Sequence, residues 1–270
     1  MPRNSTIFLI LLITVLIGCT NANNSSTIIT SGIPEPTLMT YTVTNMYPHD
    51  TASFIEGLEW HNGFLYESTG DPDQRGMSKL ARVDIKTGKD LQKINLPKQY
   101  FGEGMTILKG KIYQLTYKTQ KCFVYDSATF KKINEFSYDG EGWGMTNDGK
   151  YLIMDNSSNN LYYRDPETFK IVKTVGVIDN NGYLDSINEL EFVGGFIYSN
   201  VFMKDIIVKI DTATGHVVAK ADLSNILQKN IPNFQQANID VLNGIAYNKQ
   251  SNKFYITGKY WPKVFEITFN

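Results

Sequence analysis

Residues 39–270 are predicted to form an all-β, five-bladed β-propeller of four-stranded antiparallel blades, its last blade closed by an N-terminal strand, and three observations carry the prediction. One motif, a polar or aromatic residue beside a small one ahead of an apolar run, occurs five times. It reads Phe54-Ile55-Glu56-Gly57-Leu58, Phe101-Gly102-Glu103-Gly104-Met105, Gly140-Glu141-Gly142-Trp143-Gly144-Met145, Ile187-Asn188-Glu189-Leu190 and Leu242-Asn243-Gly244-Ile245. The aligned apolar residues Leu58, Met105, Met145, Leu190 and Ile245 lie 47, 40, 45 and 55 residues apart. About 45 residues over four strands is about 11 per strand and turn, the spacing of a propeller blade. The third observation concerns the termini. The fifth unit ends one strand short at residues 264–269, while residues 39–44 belong to no unit, so pairing the two closes the ring and removes an open edge. A sandwich of duplicated hairpins would leave that complementarity unexplained.

Turn chemistry supports each unit. Gly-containing dipeptides between apolar runs are strong hairpin signals. Asn62-Gly63 precedes Phe64-Leu65-Tyr66, Lys109-Gly110 precedes Ile112-Tyr113, Asp148-Gly149 precedes Tyr151-Leu152-Ile153, and Gly194-Gly195 precedes Phe196-Ile197-Tyr198. The fifth unit uses a longer loop, residues 248–253, before Phe254-Tyr255-Ile256. A second hairpin follows in four units, turning at Thr87-Gly88, Ser127-Ala128, Pro166-Glu167 and Thr214-Gly215. Sixteen Tyr, fifteen Phe and 21 Gly tilt the composition from helices toward strands.

Residues 1–18 read as a signal peptide, with Arg3 at a basic start and an apolar core at residues 7–17 that is short for a membrane span. Leu16-Ile17-Gly18-Cys19 has the form of a bacterial lipobox. That makes Cys19 the lipid-attachment site and residues 19–38 a flexible tether, and it predicts an exported lipoprotein on the periplasmic side of a membrane. The alternative is an ordinary signal peptide that ends in Cys. Cys122, inside an apolar run, reads as a small buried hydrophobe. A net charge of −1 supplies no basic stripe, which argues against nucleic acid and leaves the lipid anchor as the only predicted membrane contact.

In a propeller, equivalent repeat positions gather around one axis. The residue before each small-apolar pair then lies on a ring at one mouth of the channel: Glu56, Glu103, Trp143, Asn188 and Asn243. Antiparallel pairing returns a second set to the same mouth, namely Gly70, Tyr117, Asn156, Phe202 and Lys259. Carboxylates, amides, an ammonium and aromatic walls suit a small polar ligand with an apolar flank. They suit acid–base chemistry too, because a carboxylate is raised in pKa beside another and lowered beside a lysine. Taken alone, Glu103 is equally readable as a hydrated channel-lining carboxylate, and Lys259 as a salt bridge between blades.

Other chemistries lack support. There is no Gly-x-Ser-x-Gly elbow, phosphate loop or dinucleotide fingerprint, and His49, His61 and His216 have no metal-ligand spacing. Asp71-Pro72-Asp73 and Asp155-Asn156-Ser157 match no calcium loop and read as turn caps.

At the motifs above the chain resembles the plant- and bacterial-type glutaminyl cyclases, or glutamine cyclotransferases, over roughly residues 48–268. The resemblance rests on Phe-x-Glu-Gly-Leu-Glu at 54–59, Tyr-Phe-Gly-Glu-Gly at 100–104, Gly-Glu-Gly-Trp-Gly at 140–144, Asn-Glu-Leu-Glu at 188–191, Leu-Asn-Gly-Ile-Ala at 242–246 and Thr-Gly-Lys-Tyr-Trp-Pro-Lys at 257–263. It implies a five-bladed propeller. It also implies an acyltransferase that converts the N-terminal glutaminyl residue of peptides or proteins to pyroglutamate with loss of ammonia. Carried over motif by motif, Glu103 becomes the proton-transfer residue, Lys259 the active-site lysine, Asn188 an amide contact to substrate, and Phe54, Phe101 and Trp143 pocket aromatics. Three positions depart from the family pattern, which often has Gln at 56 and Trp at 117 and 202. Glu56, Tyr117 and Phe202 are therefore expected to alter affinity or substrate preference. The resemblance implies no catalytic metal and no cofactor, leaves room for a structural divalent cation in the channel, and suggests a monomer. Two readings of other classes compete: a non-catalytic exported propeller that binds peptide N-termini or another exported partner, and a propeller lactonase or sugar-acid hydrolase that would need a central divalent ion with carboxylate ligands.

Overall fold

A computed structural model describes residues 32–235 and 239–270. The predicted signal peptide, Cys19 and the tether as far as residue 31 lie outside the described residues. The described chain opens with β1 (Thr37–Leu38) and β2 (Tyr41–Pro48). Blade one follows as β3 (Phe54–His61), β4 (Phe64–Gly70), β5 (Lys79–Asp84) and β6 (Lys89–Asn95), and blade two as β7 (Gly102–Leu108), β8 (Lys111–Thr116), β9 (Lys121–Asp126) and β10 (Lys132–Ser137). Blade three is β11 (Met145–Asn147), β12 (Leu152–Met154), β13 (Asn160–Arg164) and β14 (Ile171–Gly176). A two-stranded flap, β15 (Ile178–Asp179) and β16 (Gly182–Tyr183), leads to blade four: β17 (Ile187–Val193), β18 (Phe196–Val201), β19 (Ile206–Asp211) and β20 (Val217–Asp222). A one-turn helix, α1 (Ile226–Asn230), precedes the last blade, β21 (Leu242–Asn248), β22 (Lys253–Gly258) and β23 (Lys263–Phe269).

The terminal strand β2 completes that blade by antiparallel pairing with β23, from Tyr41 opposite Phe269 to Pro48 opposite Lys263. The closing strand is thus longer and later than residues 39–44. His49 secures its far end: the imidazole meets the Trp261 carbonyl at 2.7 Å and the Glu67 carboxylate of blade one at 3.2 Å. The start of the fold also differs from expectation. Thr37 and Leu38, assigned to the tether, add β1 in parallel to the outer edge of β20, so blade four has five strands, and Pro36 is already buried. The physical reason is the free row of backbone donors and acceptors on any outer blade edge, which an adjacent extended segment satisfies.

Burial grades from the channel outward. All seven residues of β7 are buried, whereas the outermost β6 alternates exposed and half-buried positions, the signature of one solvated face. Apolar cores lie between blades rather than within them. Met105 and Ile112 of blade two pack with Leu80 of blade one, and Met145 and Leu152 of blade three pack with Leu115 and Cys122 of blade two. Cys122 is fully buried.

Four of the five inner strands carry a β-bulge, and it falls on the repeated motif. Register breaks between Ile55 and Gly57, Gly102 and Met105, Ile187 and Leu190, and Leu242 and Ile245. In blade three the same stretch lies before the short β11. An extra residue in one strand bends it and re-aims a side chain, so the bulge is what turns the motif's polar residue toward the channel mouth. Glycine follows from the geometry: a Cβ on Gly104 would lie 2.6 Å from the backbone carbon of Gly144 in the next blade. In blade four Glu189 replaces that glycine and reaches out instead, accepting the N–H of Leu58 at 3.0 Å and of Ile245 at 2.8 Å. Glu189→Ala would strand both buried donors at about 1–3 kcal/mol each. A loss of about 2–6 kcal/mol in urea unfolding, with an unchanged m-value, is the expected result.

Candidate active site

At the mouth where β3 and β7 begin and β4 and β8 end lies a cavity of about 210 Å³, lined by Phe54, Glu56, Pro72, Phe101, Glu103, Tyr117, Trp143, Asn188, Phe202 and Lys259. All nine predicted catalytic and binding side chains meet there. Asn243, Gly70 and Asn156, the remaining ring members, are not part of the lining. Asn243 lies beneath it and donates to the Ile55 carbonyl at 2.8 Å and to Glu56 Oε2 at 3.2 Å. Gly70 lies against the Phe101 ring, which fills the space a side chain there would need.

The wall is a nearly closed circuit of rings. Phe54 meets Phe101 edge-on at 6.1 Å, Phe101 meets Tyr117 at 5.8 Å, Tyr117 meets Trp143 at 6.4 Å, and Trp143 meets Phe202 at 5.3 Å. Lys259 Nζ closes the gap, 4.4 Å from the Phe54 ring centre and 5.6 Å from that of Phe202. Aromatic faces carry negative charge density, so they hold cations as well as apolar atoms. The indole N–H of Trp143 is fixed by donation to Glu141 at 3.0 Å.

The floor is polar and buried. Glu56 and Lys259, 3% and 5% exposed, form an ion pair at 2.8 Å. Glu103 is 5% exposed, and among the described residues no hydrogen bond reaches its carboxylate. Burial, then the neighbouring Glu56 charge, push the Glu103 carboxyl well above the usual range; Lys259 opposes them, and Asp155 and Glu141 add to the rise. Burial also raises Glu56, against the pull of Lys259. The lysine thus serves Glu56 directly and Glu103 only through space. Asn188 is 2% exposed, and its side-chain oxygen has no hydrogen-bond partner among the described residues, leaving a buried acceptor free.

Sequence reasoning missed three contributors. Pro72 enters from a turn read only as a cap, although Asp71 does cap it, taking the N–H of Gly76 at 2.6 Å and of Met77 at 2.9 Å. Asp155 does cap Ser157 as expected, at 3.1 Å, yet it is fully buried, its other oxygen meets the hydrogen-bond distance and angle of no partner among the described residues, and burial raises its carboxyl well above the usual range. Glu189 was visible as the acid in a glycine's place. Among the described residues no group of three or more His, Cys, Asp or Glu side chains is arranged to hold a metal ion.

Residues 10–269 match the model of the glutamine cyclotransferase family. A glutaminyl-peptide cyclotransferase of Arabidopsis thaliana is 34% identical over 223 residues, covering 82% of this chain and 68% of the relative. A crystal structure of Myxococcus xanthus glutaminyl cyclase superposes with a TM-score of 0.80 at 30% identity, covering 87% of this chain and 99% of that one.

Proposed function

This chain belongs to the glutamine cyclotransferase family, and from that premise we propose that it cyclises N-terminal glutaminyl residues of peptides, with Glu103 moving the protons. The observation that carries the reading is Glu103 itself, a carboxylate with no hydrogen bond among the described residues, on the floor of an aromatic cavity and with its pKa raised. The nucleophile is the substrate's own α-amine. Folding the glutaminyl side chain against the ring wall brings that amine onto its γ-carboxamide carbon, and holding this near-attack geometry is the larger share of the work.

Proton balance assigns the rest. The free amine attacks the carboxamide carbon, a carbon–nitrogen bond forms, and the amine proton passes to the Glu103 carboxylate. The tetrahedral intermediate then expels its amide nitrogen, which takes that proton from Glu103 and leaves as ammonia, returning Glu103 to its starting state. One carboxyl serves as base and acid in turn, and a raised pKa makes it the stronger base and a closer match to an α-amine near 7.7–8.0. The Lys259 charge offsets the negative charge that develops on the carboxamide oxygen, and the free Asn188 oxygen accepts a substrate N–H. Glu56 attracts the α-ammonium of the approaching peptide, which gives up one proton to solvent before the free amine attacks.

Incubating the purified chain with Gln-containing dipeptides while following ammonia release tests the reading, and absence of ammonia would sink it. The acid limb of the pH profile of kcat/KM reports Glu103, which must be ionised to act as base. Because burial and Glu56 raise it, that limb lies above the ordinary carboxylate range. Glu56→Gln removes a raising charge and is expected to move the limb to lower pH; an unmoved limb would disconnect the two carboxylates.

A further inference from the structure

Five connections join second to third strands on the pocket mouth. Four contain four or five residues; the one between β4 and β5, residues 71–78, contains eight. It supplies Pro72, the lining residue that no repeat position accounts for. The loop is rigidly held, because the buried Asp71 carboxylate binds two of its N–H groups and the Asp71 carbonyl takes the N–H of Gln74 at 3.0 Å. Asp73 and Arg75 pair at 3.1 Å at its tip, with 63% and 61% of their side chains exposed.

Tyr260, from the neighbouring blade, borders the pocket at Phe54. Its ring lies 5.1 Å from Phe54, and its N–H donates to the Ser53 carbonyl at 2.9 Å. Burial raises the pKa of its hydroxyl, and the charges of Asp73, Arg75, Asp240 and Asp71 also act on it. Its φ of 61° recurs at Met203, the equivalent position of blade four, so the backbone belongs to the turn and the aromatic side chain is what distinguishes this blade.

A cavity of about 210 Å³ holds one residue, so a peptide whose first residue occupies it must leave across the rim. We propose that Pro72, Tyr260 and the Asp73–Arg75 pair form the subsite for the residue that follows the N-terminal glutamine, and that this subsite selects a flat apolar side chain. The proposal rests on the cyclotransferase reading. Pro72 and Tyr260 offer flat apolar contact. The paired charges cancel, so neither an acidic nor a basic second residue gains a free counter-ion.

Turnover of glutamine amide, Gln-Phe amide, Gln-Glu amide and Gln-Lys amide tests it. Wild type is expected to prefer Gln-Phe amide to glutamine amide by about tenfold or more in kcat/KM, through KM, as a well-seated apolar group gives. Tyr260→Asn, a residue tolerated at positive φ, should shrink that ratio. Asp73→Asn frees Arg75 and should raise the Gln-Glu to Gln-Lys ratio about two- to fivefold, and Arg75→Gln should shift it equally the other way, within the range of an exposed ion pair. Equal use of glutamine amide and Gln-Phe amide, or charge variants that leave the ratio unmoved, would overturn the subsite while leaving the cyclotransferase intact. No ammonia from any of the four would overturn both.

Discussion

Glu103→Gln lowers kcat about 10²–10⁴-fold, the usual worth of a positioned acid–base group, while the protein remains folded. The amide keeps the shape of the carboxyl but can neither take the amine proton nor return it to the leaving nitrogen. KM should change little, since the ring wall and Asn188 are untouched. The variant is also expected to gain stability as pH rises. Glu103 has a folded pKa raised above its unfolded value, so its favourable contribution is complete below the unfolded value near 4.5 and is lost as pH rises toward the folded one. The glutamine side chain has no such loss. The melting-temperature difference between variant and wild type should therefore widen above about pH 4.5. Retained activity would remove Glu103 from the mechanism, and a flat melting difference would contradict its raised pKa.

Lys259→Met is expected to cost about 3–5 kcal/mol of stability, because breaking one side of a buried ion pair leaves the other charge without compensation. The Glu56 carboxylate would keep only Asn243 as a close partner, in a site 3% exposed. It would protonate more readily, so the penalty should grow with pH above the unfolded value. Adding Glu56→Gln to Lys259→Met removes the stranded charge and should recover most of the loss, and the double-mutant cycle measures the coupling. A double variant no more stable than the single would show that the pair is not coupled. Activity should fall in both, since the cation that faces the reacting oxygen is gone.

Much of this was legible in the chain itself, and the reason is repetition. Leu58, Met105, Met145, Leu190 and Ile245 recur because each blade must bury an equivalent inner strand, and a motif that recurs at blade spacing reveals both the fold and the ring its polar members form. Counting along each hairpin then brought Tyr117, Phe202 and Lys259 to the mouth that holds Glu103. Repetition also explains the omissions. Pro72 belongs to a loop longer than its counterparts, and Tyr260 repeats the backbone of Met203 in blade four but not its side chain, so no alignment of repeats marks either as part of the rim. β1 was missed for a related reason: two residues on an outer edge carry almost no pattern.

By itself, the sequence determined the ring architecture, its closure by the two ends of the chain, and seven of the ten side chains that line the pocket, because apolar periodicity and turn chemistry are local properties. Only the tertiary structure decided which of those side chains are partners. Lys259 pairs with Glu56 and not with Glu103, and Glu189 crosses from its own blade to two others. Such choices depend on distances of a few ångströms across a shared channel, set by bulges and by the packing of five blades, and no spacing along the chain encodes them. The raised pKa of Glu103 is of the same kind: it comes from the burial and the neighbouring charge that the closed ring imposes.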